Sequence, residues 1–148
     1  MGVTIYYRGR LNDVRELGTF IDEIEEFAQP LGWWSQRCNG DWSKPNTARV
    51  SLGRGRVNIS GHLPLQGITI LPHENSEALW LTFDARGYLA DPAATSLVNE
   101  GTKKPAKTWV SIKTQFAPPR IHAAVVKLLR YVNNRYISDL EVHDDGGY

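Results

Sequence analysis

The sequence predicts an α+β domain, a two-layer sandwich in which a mostly antiparallel sheet carries two helices on one face. Three observations lead there. Two segments space their apolar residues at three- and four-residue steps, several others alternate with a period of two, and the order along the chain is strand, helix, several strands, helix, strand.

Residues 3–8 set Val3, Ile5 and Tyr7 against Thr4, Tyr6 and Arg8, the period of a half-buried strand. Asn12 or Asp13 then caps a helix whose stripe is Val14, Leu17, Phe20, Ile21, Ile24, Phe27, Ala28 and Leu31. Its reverse side carries Asp13, Glu16, Asp22, Glu23, Glu25 and Glu26, and Pro30 with Gly32 ends it. The pattern weakens over 33–56, where Trp33, Trp34 and Trp42 flank Cys38-Asn39-Gly40-Asp41 and Asn-Gly suggests a tight hairpin turn. Strands return at 56–60, 67–71 and 78–84, the last two as a hairpin, and a long loop follows over about 85–108. Trp109–Phe116 alternates again. A second helix starts after Pro118-Pro119 with the stripe Ile121, Ala124, Val125, Leu128, Leu129, Val132 and Tyr136, and Leu140 with Val142 makes a last short strand. This order is similar to that of a ferredoxin-like sandwich with extra strands in the middle. A likeness of order implies an architecture and carries no function.

Composition narrows the class. The 148 residues, 41% hydrophobic and 22% charged with net charge +1, suit a single domain over 1–148 and exclude a disordered chain or a coiled coil. A single cysteine excludes a disulfide scaffold and fits a reducing compartment. With no apolar run of membrane length and an opening Met1-Gly2-Val3-Thr4-Ile5 unlike a signal peptide, the expectation is a cytoplasmic protein with no membrane partner.

Catalytic motifs are missing. Gly53-Arg54-Gly55-Arg56 starts like a dinucleotide loop but lacks the third glycine and leads into a strand, and neither a P-loop nor a Gly-x-Ser-x-Gly elbow occurs. The sequence therefore assigns no catalytic residue, no metal and no cofactor.

The period-two rule sends Thr4, Tyr6, Arg8, Arg56, Asn58, Trp80, Thr82, Trp109, Ser111, Lys113 and Gln115 to the sheet face away from the helices. Of these, Tyr6, Arg8, Arg56, Trp80, Trp109 and Lys113 are the candidate binding residues, since Trp, Tyr and Arg dominate protein interfaces. A protein partner or a homodimer is the expected ligand. Arg37, Lys44, Arg49, Arg54, Arg56, Lys103, Lys104 and Lys107 would give that face a positive rim suited to steering a charged partner, and the alternative is single-stranded nucleic acid stacked on the same aromatics. A competing expectation has 85–108 or the Trp33–Trp42 stretch fold back over this face as a second small core. A third reading gathers His122, His143 and Asp145, with Gln115, Arg120 and Asp144 nearby, into a metal-dependent hydrolase site at the strand ends of the last crossover.

Overall fold

The computed structural model describes residues 3–53, 56–92, 95 and 109–145. The fold is mixed α+β. Strand β1 (Thr4–Arg8) leads through a 3-10 turn into α1 (Leu17–Ala28), followed by β2 (Trp34–Asn39), β3 (Arg49–Gly53), β4 (Arg56–Ser60), β5 (Gln66–Leu71), β6 (Leu79–Phe83), β7 (Val110–Lys113), α2 (Pro119–Arg135) and β8 (Glu141–Asp144). The strands form two three-stranded antiparallel sheets, β7-β1-β8 and β2-β5-β6, and the hairpin β3-β4. Both β7 and β8 run antiparallel to β1, so they are parallel to each other with β1 between them.

Local chemistry sets the helix ends. The Asp13 side chain accepts from the Arg15 backbone N–H at 2.9 Å, capping the first turn. A 3-10 turn, Gln29–Leu31, then closes on Gly32 at φ 69°, a left-handed exit that glycine takes without strain.

A hydrophobic core draws on both helices and both sheets: Ile5 and Tyr7 of β1, Phe20 and Ile24 of α1, Ile68 and Ile70 of β5, Leu81 and Phe83 of β6, Val125 and Leu129 of α2. Phe20 sits at its centre, edge-on to Phe83 at 5.3 Å and to Tyr136 at 5.1 Å. Two stitches join the sheets. The buried Tyr7 hydroxyl donates to the Trp80 carbonyl at 2.7 Å and accepts from the Trp80 N–H at 3.1 Å, and burial pushes its phenol well above the ordinary range. Beside it, the Glu77 N–H donates to the Lys113 carbonyl at 3.0 Å while the Lys113 N–H donates to Glu77 Oε1 at 2.9 Å.

Two local expectations change. Asn39-Gly40 is not a two-residue hairpin: Asn39 ends β2 opposite Gln66, and the Gly40 N–H donates to the Leu65 carbonyl at 2.9 Å. The first residues of the expected 85–108 loop fold back on the sheet. Asp84 N–H donates to Tyr88, Leu89 N–H to Gly9 and Ala90 N–H to Thr82, each at a carbonyl 2.8–2.9 Å away. Beyond Pro92 that loop, apart from residue 95, lies outside the described residues up to 108.

Candidate functional site

On β1, alternation places Ile5 and Tyr7 in the core and Tyr6 and Arg8 on the opposite face. The register then decides what surrounds them. Tyr6 stands between Ser111 of β7 and His143 of β8, its ring 6.1 Å from the imidazole. Arg8 stands opposite Glu141 of β8, bonded through Nε and a terminal nitrogen to Oε2 at 2.7 Å, while its guanidinium lies 4.3 Å from the centre of the Trp109 ring. The cation is held between a carboxylate and an indole. Exposed pairs of either kind are worth at most about 1 kcal/mol each, so the effect of the clamp is to fix one conformer more than to stabilise the fold. Trp109 keeps 41% of its surface open to solvent.

The six expected binding residues thus divide. Tyr6, Arg8 and Trp109 come together on the β7-β1-β8 sheet, joined by two residues the expectation left out, Glu141 and His143. Lys113 is exposed at the far end of β7, opposite Thr4, where it lines a shallow open cavity of about 370 Å³ with Glu74, Glu77 and the exposed Phe116. Trp80 follows Leu79 on the outer side of β6 but is half-buried and packed against the core. Arg56 belongs to the separate β3-β4 hairpin, and its side chain lies outside the described residues.

Three expectations about the open face are corrected. Thr82 is fully buried, its hydroxyl donating to the Ala90 carbonyl at 2.6 Å. Thr69, opposite Trp80, is buried as well, and the Trp42 indole N–H donates to the Phe83 carbonyl at 3.1 Å. Chain pairing along the edge of β6, together with the Trp42 indole, therefore closes off Thr82 and its surroundings, and the expected open face narrows to β7-β1-β8. Thr4 is also buried, the edge there being closed by the Asp145 N–H on its carbonyl at 3.0 Å. Arg37 is no free rim charge, because it binds Asp22 at 2.8 Å and Glu25 at 3.0 Å; Arg54, Lys103, Lys104 and Lys107 lie outside the described residues.

The strand-end cluster also forms, in a different arrangement. His122, in the first turn of α2, places Nδ1 2.6 Å from Thr114 Oγ1 and Nε2 2.9 Å from Asp144 Oδ1. With the carboxylate accepting, Nε2 carries a proton, and a neutral ring then accepts the Thr114 hydroxyl proton at Nδ1. This order resembles a hydroxyl–imidazole–carboxylate relay. Thr114 is only 2% exposed, however, so no substrate carbonyl reaches its oxygen in this conformation. His143, one residue before Asp144, points to the other face of β8 and pairs with Asp145 at 3.2 Å. His122 and His143 are therefore not brought together, and among the described residues no three His, Cys, Asp or Glu side chains gather as a metal ion would require. Burial pushes the Cys38 thiol up, away from the reactive thiolate.

Comparison with protein-family models, curated proteins and solved structures gives no significant match. Among the described residues no helix is long and apolar enough to cross a membrane.

Proposed function

We propose that this chain is a non-enzymatic binding module that recognises a protein partner, or a second copy of itself, through the outer face of β7-β1-β8. The observation that carries the reading is the Arg8 clamp between Trp109 and Glu141. An exposed indole and a guanidinium already fixed in one geometry lose little side-chain freedom on docking, and such residues are the usual anchors of interfaces. Tyr6 and His143 extend the patch, with Lys113 at its margin. Single-stranded nucleic acid is the weaker reading for this face, since Glu141 already neutralises the cation that would meet a phosphate.

The finer architecture belongs to the same reading. We take the fold as a two-layer sandwich with ferredoxin-like order, supported by the way α2 links β7 to β8 across β1. A cytoplasmic setting is part of the proposal and rests on the lone, free Cys38.

The test is Trp109→Ala and Arg8→Ala, followed by mass measurement across a concentration series and by capture of partners from a lysate. Expected is a loss of association of about thirtyfold or more for Trp109→Ala with cooperative urea unfolding retained. A chain that is monomeric at every concentration, and whose captured proteins are unchanged by both substitutions, overturns the proposal.

A further inference from the structure

The outer sides of the two helices carry opposite charge. α1 has four carboxylates and no cation in its sequence, whereas α2 has four cations and no carboxylate. Where the helices meet, the Tyr131 hydroxyl donates to Glu23 and Arg135 lies 3.9 Å from Glu16. Asp22 and Glu25 are taken by Arg37. The remaining α2 cations, Arg120, Lys127 and Arg130, have no ion-pair or hydrogen-bond partner among the described residues. With Ala123, Ala124 and Val126 they line an open trough of about 370 Å³.

Folding does not account for this placement. Arg120 stands in the first turn of α2, where the helix dipole favours a carboxylate, and that turn has none. At about 1.5 Å of rise per residue the three charges span roughly 15 Å of one helix side. All three are exposed, so each guanidinium or ammonium group is open to an anion from solvent.

We propose that this trough binds the phosphodiester backbone of a nucleic acid. Arginine forks and a lysine point charge are the groups that hold phosphate oxygens, and an alanine floor lets a sugar–phosphate strand approach the helix. A bilayer is disfavoured because the aliphatic residues of α2, Ile121, Val125, Val126, Leu128, Leu129 and Val132, are spent in the core, and the one exposed aromatic of the helix, Tyr131, donates its hydroxyl to Glu23 away from the trough. An acidic protein would meet the same charges and would also use the apolar floor of Ala123, Ala124 and Val126; capture of an acidic peptide in place of an oligonucleotide overturns the proposal. The site shares no residue with the Tyr6–Arg8–Trp109 face and stands or falls separately from it.

The experiment measures fluorescence anisotropy of labelled single-stranded and duplex oligonucleotides with the full chain at several salt concentrations. Three phosphate contacts predict a slope of log K against log salt of about −2 for a single strand and about −3 for a duplex. Arg120→Glu combined with Lys127→Glu and Arg130→Glu is expected to lower affinity at low salt at least about tenfold, while Trp109→Ala leaves it unchanged. The same three positions changed to Gln provide a milder variant, and Arg120→Glu alone is expected to raise the melting temperature, which separates lost binding from lost folding. Absence of oligonucleotide binding at low salt, binding insensitive to salt, or an unchanged triple variant overturns the proposal. So does sedimentation with phosphatidylserine vesicles in place of oligonucleotide binding.

Discussion

Two His–Asp pairs meet at the end of β8 and face opposite ways, His122 of α2 with Asp144 and His143 with Asp145. His122 and Asp144 meet at 2.9 Å with side chains 4% and 7% exposed, whereas His143 and Asp145 meet at 3.2 Å with 68% and 40% exposed. The chemistry is the same and the energetics are not. Inside, water cannot replace a lost partner, so each group depends on its neighbours; outside, water competes for both groups and salt screens them. The inner pair fastens three elements, the end of β7 through Thr114, the start of α2 through His122 and β8 through Asp144. The outer pair leaves His143 free to turn toward Tyr6 or toward a ligand.

Removing the inner imidazole is expected to have the largest effect. His122→Ala should cost about 3 kcal/mol in urea-derived unfolding free energy, the penalty of breaking a buried pair from one side; a cost under about 1 kcal/mol would erase the distinction between the two pairs. Thr114→Val keeps the shape and deletes the hydroxyl, so its expected cost is about 1 kcal/mol. A double-mutant cycle with His122→Ala should then show strong non-additivity, because both substitutions break the same bond. His143→Ala is expected to change stability by no more than about 0.5 kcal/mol while weakening partner association, read by the same mass measurement as for Trp109. The smallest effect concerns an exposed ion pair away from both. Hydrogen bonding from Arg37 holds the Glu25 carboxyl below its ordinary range. A lowered folded value means a contribution that is complete at neutral pH and is lost as pH falls below about 4.3, the unfolded glutamate value. Glu25→Gln should therefore reduce the melting temperature slightly at pH 7, by an amount that shrinks as pH falls below about 4.3 and through the lower folded value.

What the sequence disclosed follows the same division between inside and outside. Both helix stripes were legible because burial imposes a 3.6-residue period: Leu17, Phe20, Ile21 and Ile24, and Ile121, Val125, Leu128 and Val132, are all buried. The alternation of β1 and β7 was legible for the same reason: Ile5, Tyr7, Val110 and Ile112 are buried and their neighbours Tyr6, Arg8 and Ser111 are not. β2 was not legible, since Trp34–Asn39 has no fully buried residue and so no hydrophobic period to read. The neighbouring Trp33 and Trp34, identical in type, are buried and exposed respectively, a difference fixed by Trp33 turning edge-on to Phe27 at 5.7 Å. Sequence order brought His122 near the acidic end of the chain but not to the right partner. The choice of Asp144 over Asp145 depends on the phase of β8, which is set by the Ile5–Asp144 register. The sealing of Thr82 depends on the chain turning straight back after β6 so that Ala90 pairs with Thr82, a tight return within the stretch that lacks a hydrophobic period.

The hydrogen bond from Asp145 to Thr4 brings the first and last described strands to one corner of the molecule. A circular permutant should exploit this: a short flexible linker from residue 145 back to residue 4, with new ends opened in the exposed turn at Glu74-Asn75, severs no strand pairing. By the same geometry, fluorophores attached near the two ends would sit within close energy-transfer range in the native chain and separate on unfolding, giving a direct optical readout of whether β8 is seated.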